Sequence, residues 1–141
     1  MFSKKLQFAF VVFIIDRVLK YYFVQKDYSI VNRGVSFSLL NESDYNAFLS
    51  AILILLILCF IVYIKGRKQD LFKKYYFALV AINIGAVSNL IDRITWGGVV
   101  DYIDLIILKN NLSDLLIFVG VVSIILYAAH PQFQNTPKDK S

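Results

Sequence analysis

The sequence predicts an all-α membrane protein with four transmembrane helices, a small extracytoplasmic β-like segment and short outer loops. Of the 141 residues, 58% are hydrophobic and 18% are charged, whereas soluble domains average about 25% charged residues. Long apolar runs also recur along the chain, and a bilayer core about 30 Å thick is crossed by roughly 20 apolar helical residues. We expect one integral membrane domain over residues 1–141, with spans near 6–24, 47–64, 75–91 and 113–130.

The four predicted spans differ in their polar content. The first follows a basic start, as a signal peptide would, but Asp16 and Arg17 interrupt it and no small-residue cleavage site follows. We therefore expect it to stay as helix one. The second has no charge, and its Cys59 is expected to be buried by packing. The third contains Asn83 and Asn89, and the fourth is the shortest.

Lysine and arginine residues predict the orientation, because they accumulate in cytoplasmic loops. Nine lie in the termini and the loop between spans two and three, and four lie in the two other loops. Both termini are thus expected in the cytoplasm, with 25–46 and 92–113 outside. Orientation accounts for the net charge of +5, and we expect no nucleic-acid partner. Strand-like alternation over 28–40 and a β-branched run at 99–103 predict extended outer segments.

Ionisable residues in or beside the spans are the candidate functional groups, because charge is costly in a bilayer. Asp16 and Lys20 are four residues apart on one helix face, and an ion pair is the simpler interpretation. Asn89 and Asp92 lie on a stripe of small and polar residues at the end of span three. Close helix packing explains the small residues, and an interfacial ion pair would explain Asp92 with Arg93.

Further acids follow on the outer side, so that two carboxylates can meet where spans three and four end. Asp101 lies in the run expected to be extended, and Asp114 lies at the first turn of span four. A helix start stabilises a carboxylate, so a structural role explains Asp114 taken alone. Asn111 or Ser113 is the expected cap of that helix.

Two close carboxylates in a partly apolar site share a proton. One can then act as general base on a water while the other hydrogen-bonds the scissile carbonyl, which is aspartic-protease chemistry. It uses no metal or cofactor, and the chain has a single cysteine and a single histidine. Spacing leaves open whether Asp92 or Asp101 partners Asp114. Asp104 is a fourth candidate that an extended run would point away from Asp101.

Two non-protease interpretations compete with this one. A small four-span transporter would place an acid near the membrane midplane, but the only acid inside a span is Asp16, and Lys20 is its expected partner. A non-catalytic scaffold would need no converging acids. The clustering of acids at one interface therefore favours a protease site.

Five blocks of the sequence carry these polar residues in order: DRVLK (16–20), NRGVSFSL (32–39), GAVSNLIDR (85–93), GVVDYID (98–104) and NLSDLLIFVG (111–120). They resemble the motifs D-x-x-T-K, N-x-G-x-A-F, G-x-x-G-N-x-x-D-R, V-V-D-F and N-x-A-D-x-x-I-x-x-G of bacterial lipoprotein signal peptidase (signal peptidase II), a four-span membrane aspartic protease. The departures from these motifs are Leu19, Ser36, Ser88 and Ser113, where that family usually has Thr, Ala, Gly and Ala. The thirteen-residue step from position 101 to position 114 is shorter than usual.

The resemblance implies a catalytic pair formed by Asp101 and Asp114. It implies a set of substrate-binding or supporting residues: Asp16, Lys20, Asn32, Gly34, Asn89, Asp92, Arg93 and Asn111. The implied substrate is a diacylglyceryl-modified prolipoprotein in the membrane, cut just before its lipidated cysteine, and the implied inhibitor is globomycin. The implied location is the bacterial cytoplasmic (inner) membrane, with the active site at its outer face. We expect a monomer without cofactor.

Overall fold

The computed structural model describes residues 4–32, 46–67, 69–105 and 108–129. Helices make up most of this described part, namely α1 (Lys4–Gln25), α2 (Asn46–Arg67), α3 (Gln69–Trp96) and α4 (Leu112–Ala129). Three contain segments long and apolar enough to cross a membrane: Leu49–Arg67, Phe72–Trp96 and Leu112–Ala129. The remaining helix, α1, has 22 residues, but three charged residues lie within its sequence. Over its described residues, each predicted span lies within a helix.

Helix α3 is central, because α1, α2 and α4 all pack against it. Small residues on α3, Ala78, Ala81 and Ser88 among them, are buried. A Cβ atom on Gly85 would lie 2.5 Å from the Ser113 carbonyl oxygen of α4. Small residues thus let the α3 and α4 backbones approach closely, as predicted from the stripe.

Helix α2 turns most of its apolar surface outward. Leu53, Leu55 and Leu56 are exposed, while Ile54 is buried. Such an apolar exterior fits a protein surrounded by lipid, and in water it would be unfavourable. Cys59 is also exposed, so the expectation that it is buried by packing is wrong. The reason is that α2 has one packed face and Cys59 lies outside it.

Helices α1 and α3 end on the same side of the bundle, and each is followed by a residue in the left-handed conformation. Asp27 has φ = 55° after α1, and the Tyr28 N–H donates to the Phe23 carbonyl at 3.1 Å, which is the Schellman pattern. Gly97 has φ = 72° directly after α3, a conformation that glycine adopts at little cost. Both turns send the chain across the end of the bundle.

Four short strands cover this end within the described residues. Strand β1 (Ile30–Asn32) pairs antiparallel with β2 (Val99–Asp101), and β3 (Ile103–Leu105) pairs antiparallel with β4 (Leu108–Asn110). The extended run at 99–103 is thus confirmed. The predicted alternation over 28–40 is seen as β1, and its remaining part, 33–40, lies outside the described residues.

Candidate active site

Asp114 lies in the first turn of α4, and Asn111 caps that helix. The Asp114 backbone N–H donates to Asn111 Oδ1 at 2.9 Å, the bond that an N-cap side chain makes to the third residue of a helix. Ser113 is already inside the helix, so of the two predicted caps Asn111 is the one used. The carboxylate of Asp114 thereby sits at the positive end of the helix dipole.

Asp101 ends strand β2 and is 3% exposed. Its Oδ1 accepts from Asn111 Nδ2 at 2.8 Å, and its Oδ2 accepts from Asn32 Nδ2 at 3.3 Å. Burial raises the pKa of Asp101 to about 6; the bond from Asn111 opposes this rise, and the charge of Asp114 adds to it. The charge of Asp114 therefore lies close enough to act on the protonation of Asp101.

Asn111 joins the two acids, and we call Asp101 and Asp114 the dyad. The amide nitrogen of Asn111 binds the side chain of one acid and its amide oxygen binds the backbone of the other. A second asparagine, Asn89, donates from Nδ2 to Asp114 Oδ1 at 2.8 Å. Lys20 Nζ donates to Asn89 Oδ1 at 2.9 Å, which orients the Asn89 amide so that its nitrogen faces the dyad.

A third acid near the dyad, Asp92, belongs to a charge cluster that we define as Asp16, Arg17, Lys20 and Asp92. Lys20 Nζ lies 2.6 Å from Asp92 Oδ2 and 3.2 Å from Asp16 Oδ2, and Arg17 binds Asp92 Oδ1. The Val100 backbone N–H also donates to Asp92 Oδ2 at 3.2 Å. With both its oxygens bound, Asp92 holds α1, α3 and β2 together, and the geometry favours Asp101 as the partner of Asp114.

The cluster corrects one expectation from the sequence. The ionic contacts of Asp92 described above come from α1, whereas an ion pair with Arg93 was the interpretation considered from the sequence. Arg93 instead donates to the Asn89 carbonyl oxygen at 3.4 Å, and its charge interacts with those of Asp92 and the dyad. Arg17 was missed because an arginine beside a predicted ion pair gave no separate signal.

Asp16 forms the predicted pair with Lys20 and in addition binds hydroxyl groups. Its Oδ2 accepts from Ser88 Oγ at 2.7 Å and from Ser113 Oγ, and its Oδ1 accepts from the Tyr102 hydroxyl at 2.8 Å. A fully buried carboxylate needs such donors, because the bilayer supplies none. From the sequence, Ser88 was expected to allow close packing and Ser113 to be a possible helix cap, and no contact with Asp16 was predicted for either serine or for Tyr102.

The remaining candidates fall outside the dyad. Asp104 is exposed and forms an ion pair with Lys109 at 3.3 Å across the β3–β4 hairpin, so it does point away from Asp101. Gly34 lies outside the described residues. Among the residues that the structure describes, no group of three or more His, Cys, Asp or Glu side chains is placed to hold a metal ion.

Comparison with known proteins gives one consistent result. The family model described as Signal peptidase (SPase) II matches residues 8–130. A "Lipoprotein signal peptidase" of Buchnera aphidicola is 35% identical over 114 residues, covering 75% of this chain and 72% of the relative. One of Helicobacter pylori is 34% identical over 132 residues, covering 83% and 81%.

Solved structures support the fold alone, because their sequence identity to this chain is low. One bacterial membrane enzyme solved by the in meso method at 2.3 Å resolution superposes with a TM-score of 0.76 at 23% identity. That alignment covers 97% of this chain and 94% of the other. The helices and strands described here therefore form an arrangement already seen in a bacterial membrane enzyme.

Proposed function

Because the chain belongs to the signal peptidase II family of aspartic peptidases, we propose that it removes signal peptides from diacylglyceryl-modified prolipoproteins, cutting just before the lipidated cysteine. Asp101 and Asp114 are the proposed catalytic residues. The observation that carries this assignment is the position of Asn111, which binds both acids at once. The other outer acids, Asp92 and Asp104, are engaged elsewhere.

The chemistry follows from a proton shared by the dyad. With a pKa of about 6, Asp101 holds a proton more readily than an ordinary aspartate, and the neighbouring carboxylate can then accept one. The ionised carboxylate takes a proton from a water molecule as the oxygen of that water adds to the scissile carbonyl carbon. The protonated carboxyl hydrogen-bonds the carbonyl oxygen. When the tetrahedral intermediate breaks its C–N bond, a proton returns to the leaving amine, which is the new N-terminus.

The supporting residues act on the two acids rather than on the substrate in this scheme. Asn111 and Asn32 hold Asp101, and Asn89 holds Asp114. Each amide fixes one carboxylate oxygen and leaves the remaining lone pairs for water and substrate. Lys20 and Asp92 hold α1 against α3, the helix from which Asn89 projects.

The substrate and the membrane fit the location of the dyad. A prolipoprotein presents an apolar signal helix and an acyl-bearing cysteine, and the dyad lies where α4 begins and β2 ends. The protein is a bacterial multi-pass membrane protein. We propose that both termini are cytoplasmic and the dyad is at the outer face of the cytoplasmic membrane, as the lysine and arginine distribution favours.

We also propose how the peptidase is inhibited and in which state it acts. Globomycin-type inhibitors should block cleavage, as expected for this family. The protein should act as a monomer without cofactor, since both acids and the three asparagines that bind them come from one chain. A transporter or a scaffold would show no cleavage, which the following experiment measures.

The test is cleavage of a diacylglyceryl-modified prolipoprotein in liposomes by the wild type and by Asp101→Asn, Asp114→Asn, Asp92→Asn and Asp104→Asn, each checked by thermal melting. We expect the first two to be folded and inactive. Asp104→Asn is the matched control, because this acid is exposed and close in sequence, and it should stay active. Asp92→Asn should have a lower melting temperature than the wild type. If Asp92→Asn is folded and inactive while Asp101→Asn cleaves, the dyad assignment is wrong. A folded wild type that cleaves nothing would refute the function.

A further inference from the structure

Tyr102 connects the two acids of the dyad through the base of the hairpin between them. Only thirteen positions separate Asp101 from Asp114, and β3 and β4 occupy the middle of that stretch. The Tyr102 backbone N–H donates to the Asn110 carbonyl oxygen at 3.2 Å. Its hydroxyl oxygen accepts from the Leu112 backbone N–H at 3.2 Å. Tyr102 thus binds the chain on both sides of Asn111.

The hydrogen bond from the Leu112 backbone N–H gives a partner to a donor that has none within the helix. The first N–H groups of a helix have no partner within it, and the Asn111 cap serves the N–H of Asp114, not that of Leu112. The Tyr102 hydroxyl therefore caps a further N–H of α4 from outside the helix. This fixes the start of α4, and with it Asp114, relative to the residue that follows Asp101.

The same hydroxyl is anchored to helix α1. It donates to Asp16 Oδ1 at 2.8 Å, and the Tyr102 ring stacks on Phe23 with centroids 5.3 Å apart and planes at 10°. Burial raises the pKa of Tyr102 and the charge of Asp16 raises it further, so the hydroxyl keeps its proton and remains a donor. The position of Tyr102 is thus set by the buried charge cluster.

We propose that Tyr102 is a positioning residue for the dyad, which transmits the position of Asp16 on α1 to the start of α4 and so sets the separation of the two catalytic carboxylates. The proposal rests on the proposed function. It singles out one of three hydroxyl groups on Asp16: Ser88 and Ser113 bind Oδ2, whereas Tyr102 alone binds Oδ1 and also the α4 backbone.

The three variants Tyr102→Phe, Ser88→Ala and Tyr21→Phe separate positioning from general stabilisation. Tyr102→Phe keeps the ring stacked on Phe23 and removes the hydroxyl. Ser88→Ala also removes one hydroxyl from Asp16 but leaves the start of α4 bound. Tyr21→Phe removes a hydroxyl from an exposed tyrosine of α1, the helix that carries Asp16 and Phe23. Melting temperatures are measured for all, and kinetics at a temperature where all are folded.

We expect Tyr102→Phe to lower kcat for prolipoprotein cleavage about tenfold with KM within about twofold, because misplaced catalytic groups slow chemistry more than binding. Ser88→Ala should lower the melting temperature with kcat near the wild-type value, and Tyr21→Phe should change neither. Equal kcat in Tyr102→Phe and wild type would overturn the proposal, as would an equal kcat loss in Ser88→Ala. A wild type that does not cleave would instead refute the proposed function.

Discussion

Replacing Gly85 by alanine tests whether the α3–α4 contact sets the geometry of the dyad. An alanine Cβ would lie 2.5 Å from the Ser113 carbonyl oxygen and 2.8 Å from Ile117 Cγ1. Ordinary contact begins at 3.4 Å, so the two backbones would have to separate by about 0.9 Å at this level. Overpacking of this kind costs about 1–3 kcal/mol of folding free energy.

The same displacement would reach the N-terminal end of α4, where Asp114 of the proposed catalytic dyad lies. Asp114 follows Ser113 directly, and its Oδ1 is 2.8 Å from Asn89 Nδ2. Lengthening that separation by about 0.9 Å would break the hydrogen bond, because such bonds fail beyond about 3.5 Å. A misplacement near 1 Å lowers activity by about a hundredfold. We therefore expect Gly85→Ala to lose cleavage activity of that order.

Two other glycines are matched controls for the Gly85 variant. A Cβ on Gly120 would also be crowded, 2.8 Å from the Ala78 carbonyl oxygen and 2.6 Å from Ile82 Cγ1, but further along α4 from the dyad. Gly120→Ala should lose comparable stability and much less activity. Gly66 has nothing within 4 Å of that position, so Gly66→Ala should change neither. The assay is prolipoprotein cleavage with a thermal melt, and a folded, fully active Gly85→Ala would refute the reasoning.

Three more predictions follow from the dyad and the charge cluster. The pKa of Asp101 is about 6 in the folded state against an ordinary 3.8, so protonation of Asp101 stabilises the fold at low pH, and up to about 3 kcal/mol of this stabilisation is lost as the pH rises from about 4 through 6. In thermal melts over this pH range, the melting temperature of Asp101→Asn should therefore fall less with rising pH than that of the wild type. An equal fall in both proteins would contradict this prediction. Lys20→Met should cost about 3–5 kcal/mol, because it leaves the buried acids Asp16 and Asp92 short of a cation, and adding Asp92→Asn should restore part of the melting temperature; no recovery would argue against the pairing. Asn111→Asp should keep the helix cap but abolish cleavage, since a carboxylate there would face Asp101 in place of an N–H donor; an active variant would show that the Asn111 donor is dispensable.

The helices were predictable because their signal is local. A run of apolar residues long enough to cross a bilayer identifies each span, and the basic residue that ends or precedes a run marks its limits. The strand at 99–101 was likewise predictable, since Val99 and Val100 are β-branched. Which face of α2 is packed was not, because a uniformly apolar helix carries no periodic signal, and the placement of Cys59 was wrong for that reason.

The site was predictable as a list of polar residues and less so as a network. Asp101, Asp114 and Asn111 are close in sequence, and their helix and strand positions bring them together. From the sequence, Asp92 could have belonged either to the dyad or to a cluster with the charged residues of α1, because spacing along the chain does not show which side chains of α1 lie beside it. Its contacts with Arg17 and the hydroxyl contacts of Asp16 are made between segments more than seventy residues apart, and only the folded arrangement of helices determines them.

The charge cluster has a consequence for how the protein enters the membrane during synthesis. An arginine, lysine or aspartate at the centre of a helix raises its insertion free energy by about 2.5–3.5 kcal/mol, and α1 has all three. Asp92, the partner of Arg17, lies 75 residues downstream, so α1 leaves the ribosome well before its counter-charge is made. The ion pair between Arg17 and Asp92 can therefore form only after α3 has been synthesised, so the charge cluster is complete only when both helices are in place.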